Sequence, residues 1–217
     1  MRKLILAAFF FSAVILSAQS QALSQRDLRN LLDRIRQNRA TQADFEEVRV
    51  IRLMKKPIAS QGKVWFQPPD KFRREVKGSA PSLTVSDGRQ LWIYYPGFKS
   101  AERYPLGKGS PLDATVAAIN SALNLENIEE TFAISGTTNG KGYTLELLPR
   151  TAAMKRVFQK LSLEINEQLW VTRTDMLLPN GDRIVTTYSN QTRAPVPAST
   201  FEFTPPPGTE VSTPLRG

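Results

Sequence analysis

The sequence of 217 residues contains no cysteine and no histidine. Without cysteine there is no disulfide framework and no thiolate nucleophile. There is also no cysteine behind the N-terminal leader to carry a lipid, so the processed protein is not expected to be a lipoprotein itself. Without histidine, Ser-His-Asp triads, Cys-His pairs and histidine-ligated zinc are all excluded, and the commonest general base is missing. The carboxylates are scattered. Glu46-Glu47 and Glu129-Glu130 are neighbours, but successive strand residues point to opposite faces, so neither pair makes an acid/base dyad. Both pairs read as solvated surface. Asp and Glu are too dispersed for an oxygen-ligand metal site. Gly107-x-Gly109 lacks the rest of a phosphate-loop fingerprint. No catalytic function, metal or cofactor is therefore expected. Beyond the leader, no apolar run is long enough to cross a bilayer.

The leader has the three parts of an export signal. Arg2-Lys3 supplies positive charge and Leu4 to Leu16 is apolar apart from Ser12. Ser20-Gln21-Ala22 places small residues for cleavage after Ala22, with Ala18-Gln19-Ser20 as the alternative. The expected organisation is a signal peptide over 1–22, one domain over 23–204 and a proline-rich tail over 205–217, in an exported, monomeric protein. Net charge is +9, and +7 once Arg2 and Lys3 are gone. That charge aids solubility, and it also suits anionic lipid headgroups or an acidic partner, giving transient membrane proximity. The basic residues are spread along an exported chain, so no nucleic-acid partner is expected.

Leu23 to Asn38 has helical spacing. Ser24 is the N-cap, Asp27 follows three residues on, and Leu28, Leu31, Leu32 and Ile35 form one apolar stripe. Such a stripe serves equally for a helix packed on a sheet or for a lid over a cavity. Ser110-Pro111 opens a second helix with Leu112, Val116, Ile119 and Leu123 on one side. The rest reads as short strands. Thr41 to Lys55 carries Phe45 on one parity and Val48 and Val50 on the other. Gly62 to Gln67, Phe72 to Val76, Leu83 to Ser86, Gln90 to Tyr94 and Ser100 to Tyr104 follow, with Asp87-Gly88 as a hairpin turn. Later strands run over Thr131 to Ser135, Tyr143 to Leu148, Val157 to Ile165, Leu169 to Leu177 and Arg183 to Ser189, and Phe201 to Thr204 closes the sheet. Ten or eleven strands at this spacing suit a sandwich or a barrel.

Two runs carry a resemblance. Gly62-x-Val64-Trp65-Phe66-x-x-Pro69-x-x-Phe72-Arg73 is followed by Val85-Ser86-Asp87-Gly88-x-x-Leu91-Trp92-x-Tyr94-x-Pro96. With Phe201-x-Phe203-x-Pro205-Pro206-x-Gly208-Thr209-x-Val211, they resemble the outer-membrane lipoprotein carrier family (LolA) across nearly the whole exported chain. The resemblance implies a mainly β (α+β) fold: a strongly curved antiparallel sheet forming an incompletely closed barrel, with helices over the concave apolar side. It implies a periplasmic carrier that holds the acyl chains of lipoproteins. Cargo would come from an inner-membrane LolCDE-type ABC transporter and pass to an outer-membrane LolB-type acceptor. A lipid- or glycolipid-binding or envelope-sensing module of the same fold is the alternative. On this reading the cavity and lid candidates are Leu28, Leu31, Leu32, Ile35, Phe45, Phe72, Arg74, Trp92, Tyr94, Leu112, Val116 and Ile119.

The chain departs from the family at two positions. Pro68 stands where better-known carriers have an arginine that holds the helical lid shut. Arg74 stands where an aromatic is common. Proline has no side-chain donor, so that latch cannot form at position 68. Arg74, beside Phe72, is expected to serve near the cavity mouth as latch or headgroup contact, with a solvated surface position as the other reading.

Overall fold

The computed structural model describes residues 20–38, 41–106, 128–138 and 140–213. The bulk of the leader and the expected helix over Leu112 to Leu123 lie outside these residues. Helix α1 (Gln25–Asn38) is the main helix described. Ser24 Oγ accepts the Asp27 N–H at 3.2 Å and donates to Asp27 Oδ2 at 2.6 Å, which satisfies a donor that the first turn leaves open. Two one-turn helices follow later, α2 (Ile128–Thr131) and α3 (Ala152–Lys155).

The described residues form a sheet of 13 strands. The early strands are β1 (Gln21–Ala22), β2 (Gln42–Val50), β3 (Ile58–Gln67), β4 (Lys71–Lys77), β5 (Ser82–Asp87), β6 (Gln90–Tyr95) and β7 (Ser100–Pro105). The later ones are β8 (Phe132–Thr138), β9 (Gly142–Pro149), β10 (Lys160–Asn166), β11 (Val171–Leu177), β12 (Arg183–Thr192) and β13 (Glu210–Ser212). Their spatial order is β1-β8-β9-β10-β11-β12-β2-β3-β4-β5-β6-β7-β13. Neighbours run antiparallel except β13, which lies parallel to β7. β1 and β13 do not meet, so the curved sheet stays open.

Most joints are hairpins, and their turns are set locally. Between β5 and β6, Gly88 adopts φ of 88°, and Asp87 Oδ1 accepts the N–H groups of Arg89 and Gln90 at 2.7 Å.

The chain differs from its sequence-based reading in three places. The first long strand ends at Val50, because residues 52–53 turn and the chain re-enters the sheet at Ile58. Phe201 to Thr204 is not a strand. Ala198–Phe201 is a 3-10 turn lying outside the sheet, with Phe201 buried. The proline-rich segment returns to the sheet edge, where Glu210, Val211 and Ser212 pair with Ser100, Ala101 and Glu102. β1 and β13 are the short strands that the sequence-based reading does not include.

Candidate functional site: the inner face of the sheet

Register assigns each side chain to a face, since directly paired residues share a side. Ala43, Val64, Arg74, Thr84, Ile93 and Glu102 are successive partners across β2 to β7 and therefore share one face. Phe45 and Phe72 lie on it too, two residues from Ala43 and Arg74. The same chain of partners runs back through Tyr188, Thr186 and Thr174 to Leu163 and Leu145. Leu28, Leu31, Leu32 and Ile35 of α1 share a core with Leu145, Leu147, Leu161, Leu163 and Ile165. The α1 side is thus the inner face, and it carries Phe45, Phe72 and Arg74.

The inner face is packed unevenly. Under α1 the core is dense and includes Phe132 stacked on Phe158, ring centres 5.8 Å apart. Across β2 to β7 the apolar residues fall into two small clusters. One is Ala43, Phe45 and Val64 with Phe66, Val76 and Tyr188; the other is Phe72 and Leu91 with Phe66, Tyr104 and Leu106. Phe66, Val76, Ile93 and Tyr104 are only partly buried. Among the described residues, this half of the face presents apolar side chains that are only partly buried by their neighbours.

Polar groups sit among them. Arg74 Nη2 donates to Glu47 Oε2 at 2.8 Å, and its guanidinium lies 4.2 Å from the Phe45 ring centre. Thr186 Oγ1 is 3.4 Å from the same carboxylate oxygen. Gly62 makes room for Phe45: a Cβ there would meet Phe45 Cε1 at 2.9 Å and the Glu75 carbonyl oxygen at 1.8 Å. Further along, Tyr104 donates to Glu102 Oε2 at 2.6 Å. Burial, then this hydrogen bond and the Glu102 charge, push the Tyr104 phenol up to about 12. Burial also raises Tyr95, with Glu102 adding to it, and burial raises Tyr188. These three inner-face phenols stay neutral at physiological pH, which suits an apolar surface.

Trp92 and Tyr94 do not join this face. Trp92 pairs with Val85, and Val85 with Arg73, which puts Trp92 and Tyr94 on the outer face. There Phe203 packs against both rings, at 5.7 Å from Trp92 and 5.5 Å from Tyr94. Arg73 Nη1 donates to the Thr200 carbonyl at 3.2 Å, holding the C-terminal segment over the same strands. These two cavity candidates of the sequence thus lie on the face opposite Phe72. The parity of β6 puts Leu91, Ile93 and Tyr95 inside and Trp92 and Tyr94 outside. Leu112, Val116 and Ile119 fall outside the described residues.

Glu47 is the residue that sequence reasoning passes over. Beside Glu46 it reads as solvated surface, yet its side chain is only 12% exposed on the inner face. The signal is present in the sequence: Glu47 has the parity of Phe45, and Glu46 does not. Arg74 finds the partner that a half-buried cation needs, and that partner is on β2. Among the described residues no group of carboxylates is placed to hold a metal ion. No described helix is long and apolar enough to cross a membrane.

An open curved sheet with an amphipathic helix on its inner face defines a class of proteins built around a coverable apolar surface. The sequence model of the family described as "Outer membrane lipoprotein carrier protein LolA" matches residues 36–204, and the chain belongs to that family. It is 27% identical over 209 residues to an outer-membrane lipoprotein carrier protein of Dechloromonas aromatica, covering 95% of each chain. A protein of the same description from Edwardsiella ictaluri is 26% identical, with 96% of each chain covered. Among solved structures, an uncharacterised conserved protein from Thermus thermophilus superimposes with a TM-score of 0.52 at 14% identity, covering 86% of this chain and 99% of that one. That likeness is one of fold.

Proposed function

We propose that the protein is a periplasmic carrier that shelters lipoprotein acyl chains against the inner face of its sheet. The observation that carries this reading is the half-open apolar surface over β2 to β7, from Phe45 and Val64 to Phe72 and Leu91, in a member of the lipoprotein carrier family. A lipid-modified protein cannot cross water unaided, because each exposed methylene costs about 0.8 kcal/mol relative to membrane. Three chains of some fifteen carbons then amount to about 35 kcal/mol, an upper bound that clustering of the chains reduces. The carrier must offset most of this and still bind less tightly than the destination. Side chains that are partly buried before cargo arrives suit that compromise better than a sealed pocket.

In this reading Phe45 and Phe72 belong to the lining, and Leu28, Leu31, Leu32 and Ile35 hold α1 in place. Cargo arrives from a LolCDE-type transporter and leaves to a LolB-type acceptor, and the carrier makes and breaks no covalent bond. Arg74 is a headgroup contact rather than a latch, because its described hydrogen bond goes to Glu47 of the sheet and not to a helix.

The test is mass spectrometry of lipid and protein that co-purify with the periplasmic form, compared with Phe72→Asp. Acylated lipoprotein on the wild type and its loss from a folded Phe72→Asp variant is the expected result. A glycolipid in its place would favour a lipid-binding or sensing module. Unchanged cargo on the folded variant would remove Phe72 from the lining.

A further inference from the structure

The hairpin tips β2–β3, β4–β5 and β6–β7 lie at one end of the sheet, because antiparallel neighbours alternate in direction. This end holds the most exposed large apolar side chains of the described residues. Leu53 is 94% exposed and Phe98 is 84% exposed, and Val50, Met54 and Ile58 are exposed beside Leu53. The β2–β3 and β6–β7 tips are four strand spacings apart, about 19 Å measured along the sheet. Such side chains are normally kept off a free surface when they cluster.

The charge on these three tips has one sign. Arg49, Arg52, Lys55 and Lys56 flank Leu53, Lys77 enters the middle tip and Lys99 follows Phe98. No Asp or Glu occurs from Val48 to Ser60, from Val76 to Ser82 or from Ile93 to Ala101. Most nearby acids are engaged, and Glu210, exposed on β13 beside Ser100, is the exception. Asp182 Oδ1 accepts the Arg52 backbone N–H at 2.9 Å, Asp175 pairs with Arg183, and Glu102 accepts from Tyr104. Glu47 is shared: its Oε2 accepts from Arg74 at 2.8 Å and its Oε1 lies 3.5 Å from Arg49 Nη2.

We propose that this rim docks on the surface of an anionic phospholipid bilayer, with Leu53 and Phe98 entering the headgroup region and the cations meeting the phosphates. Exposed apolar tips ringed by Lys and Arg match a surface that is apolar within and anionic outside. An acidic protein would answer the charge but offers no reason for fully exposed leucine and phenylalanine on separate tips. The rim also adjoins the inner face, since Ile58, Val76 and Tyr95 have the parity of Phe72 and Arg74. The proposal stands apart from the nature of the cargo.

The chain has no cysteine, so Leu53→Cys, Phe98→Cys and, at the opposite end, Glu167→Cys each give a unique site for an environment-sensitive fluorophore. Vesicles of phosphatidylglycerol with phosphatidylethanolamine should shift the emission to the blue at positions 53 and 98 and leave 167 unchanged. In flotation, Leu53→Asp/Phe98→Asp should bind these vesicles at least about tenfold more weakly. Lys55→Glu/Lys56→Glu should also weaken binding, and salt should weaken the wild type. Circular dichroism of each variant confirms that the exposed tips are changed without loss of fold. An unshifted emission at 53 and 98, equal signals at all three sites, or undiminished flotation of the folded double-Asp variant would overturn the proposal and leave the rim to a protein partner.

Discussion

Arg74 on β4 and Glu47 on β2 reach each other across the intervening strand β3, with 2.8 Å between Nη2 and Oε2. The Phe45 ring lies under the guanidinium and excludes water from one side of the pair. With side-chain exposures of 29% and 12%, each partner is costly to leave alone. Arg74→Leu and Glu47→Leu should each destabilise the protein by about 1–3 kcal/mol. The double variant should cost less than the sum of the two, by about 1 kcal/mol or more. Urea unfolding of the four proteins measures this, and strict additivity would mean that the pair is not coupled.

Gly62→Ala tests the space that Phe45 occupies. The added Cβ meets main chain, the Glu75 carbonyl, as well as the Phe45 ring. Main chain cannot rotate away, so the variant should lose about 1–3 kcal/mol in urea unfolding, as overpacking typically does. Wild-type stability would show that β3 shifts without strain.

The outer-face pair Asp175 and Arg183 sets a pH dependence. Arg183 Nε donates to Asp175 Oδ1 at 2.7 Å, and this hydrogen bond, aided by the charges of Arg183, Arg173 and Lys160, holds the carboxyl below its ordinary 3.8. A lowered folded-state value contributes stability above the unfolded value of 3.8, and the contribution is lost as pH falls through the folded value. The stability gap between wild type and Asp175→Asn should therefore be constant near neutrality and close in strong acid. Because Arg183 is largely exposed, the gap should stay below about 1 kcal/mol. A gap that widens on acidification would refute the assignment.

Processing of the leader bears on β1. Gln21 and Ala22 pair with Thr138 and Thr137, and the Leu23 N–H bonds the Gly136 carbonyl at 2.8 Å. Cleavage after Ala22 removes β1 and keeps the Leu23 bond, whereas cleavage after Ser20 keeps both. N-terminal sequencing of the exported protein should read Leu23 first. Forms starting at Gln21 and at Leu23 should differ by no more than about 1 kcal/mol in urea unfolding, because only exposed backbone pairing is at stake.

The strands are legible where polarity alternates or a turn residue intervenes, as at Asp87-Gly88. The α1 stripe is legible because Leu28, Leu31, Leu32 and Ile35 repeat at helical spacing, and all four are buried. Which sheet face is inner is not legible, because β6 is apolar on both sides. Leu91 and Ile93 face inward and Trp92 and Tyr94 outward, and only the register with β5 decides between them. The reason for an aromatic outer face lies more than a hundred residues away, in Phe203. Arg74 reads as a cation in need of a partner. Its carboxylate escapes notice because a Glu-Glu pair reads as surface until the parity of Phe45 is applied to Glu47.

The parallel pairing of β13 with β7 has a consequence for life in a crowded compartment. An open sheet ends in strands whose amide and carbonyl groups await partners, and another copy of the same protein is the nearest supply. Three residues of the C-terminal segment, Glu210 to Ser212, occupy that row on β7, and a strand so short, carrying Glu210, is a poor template for further growth. The segment after Phe203 thus guards against self-association: its loss would turn β7 into an adhesive edge, and the penalty would be aggregation before any loss of fold.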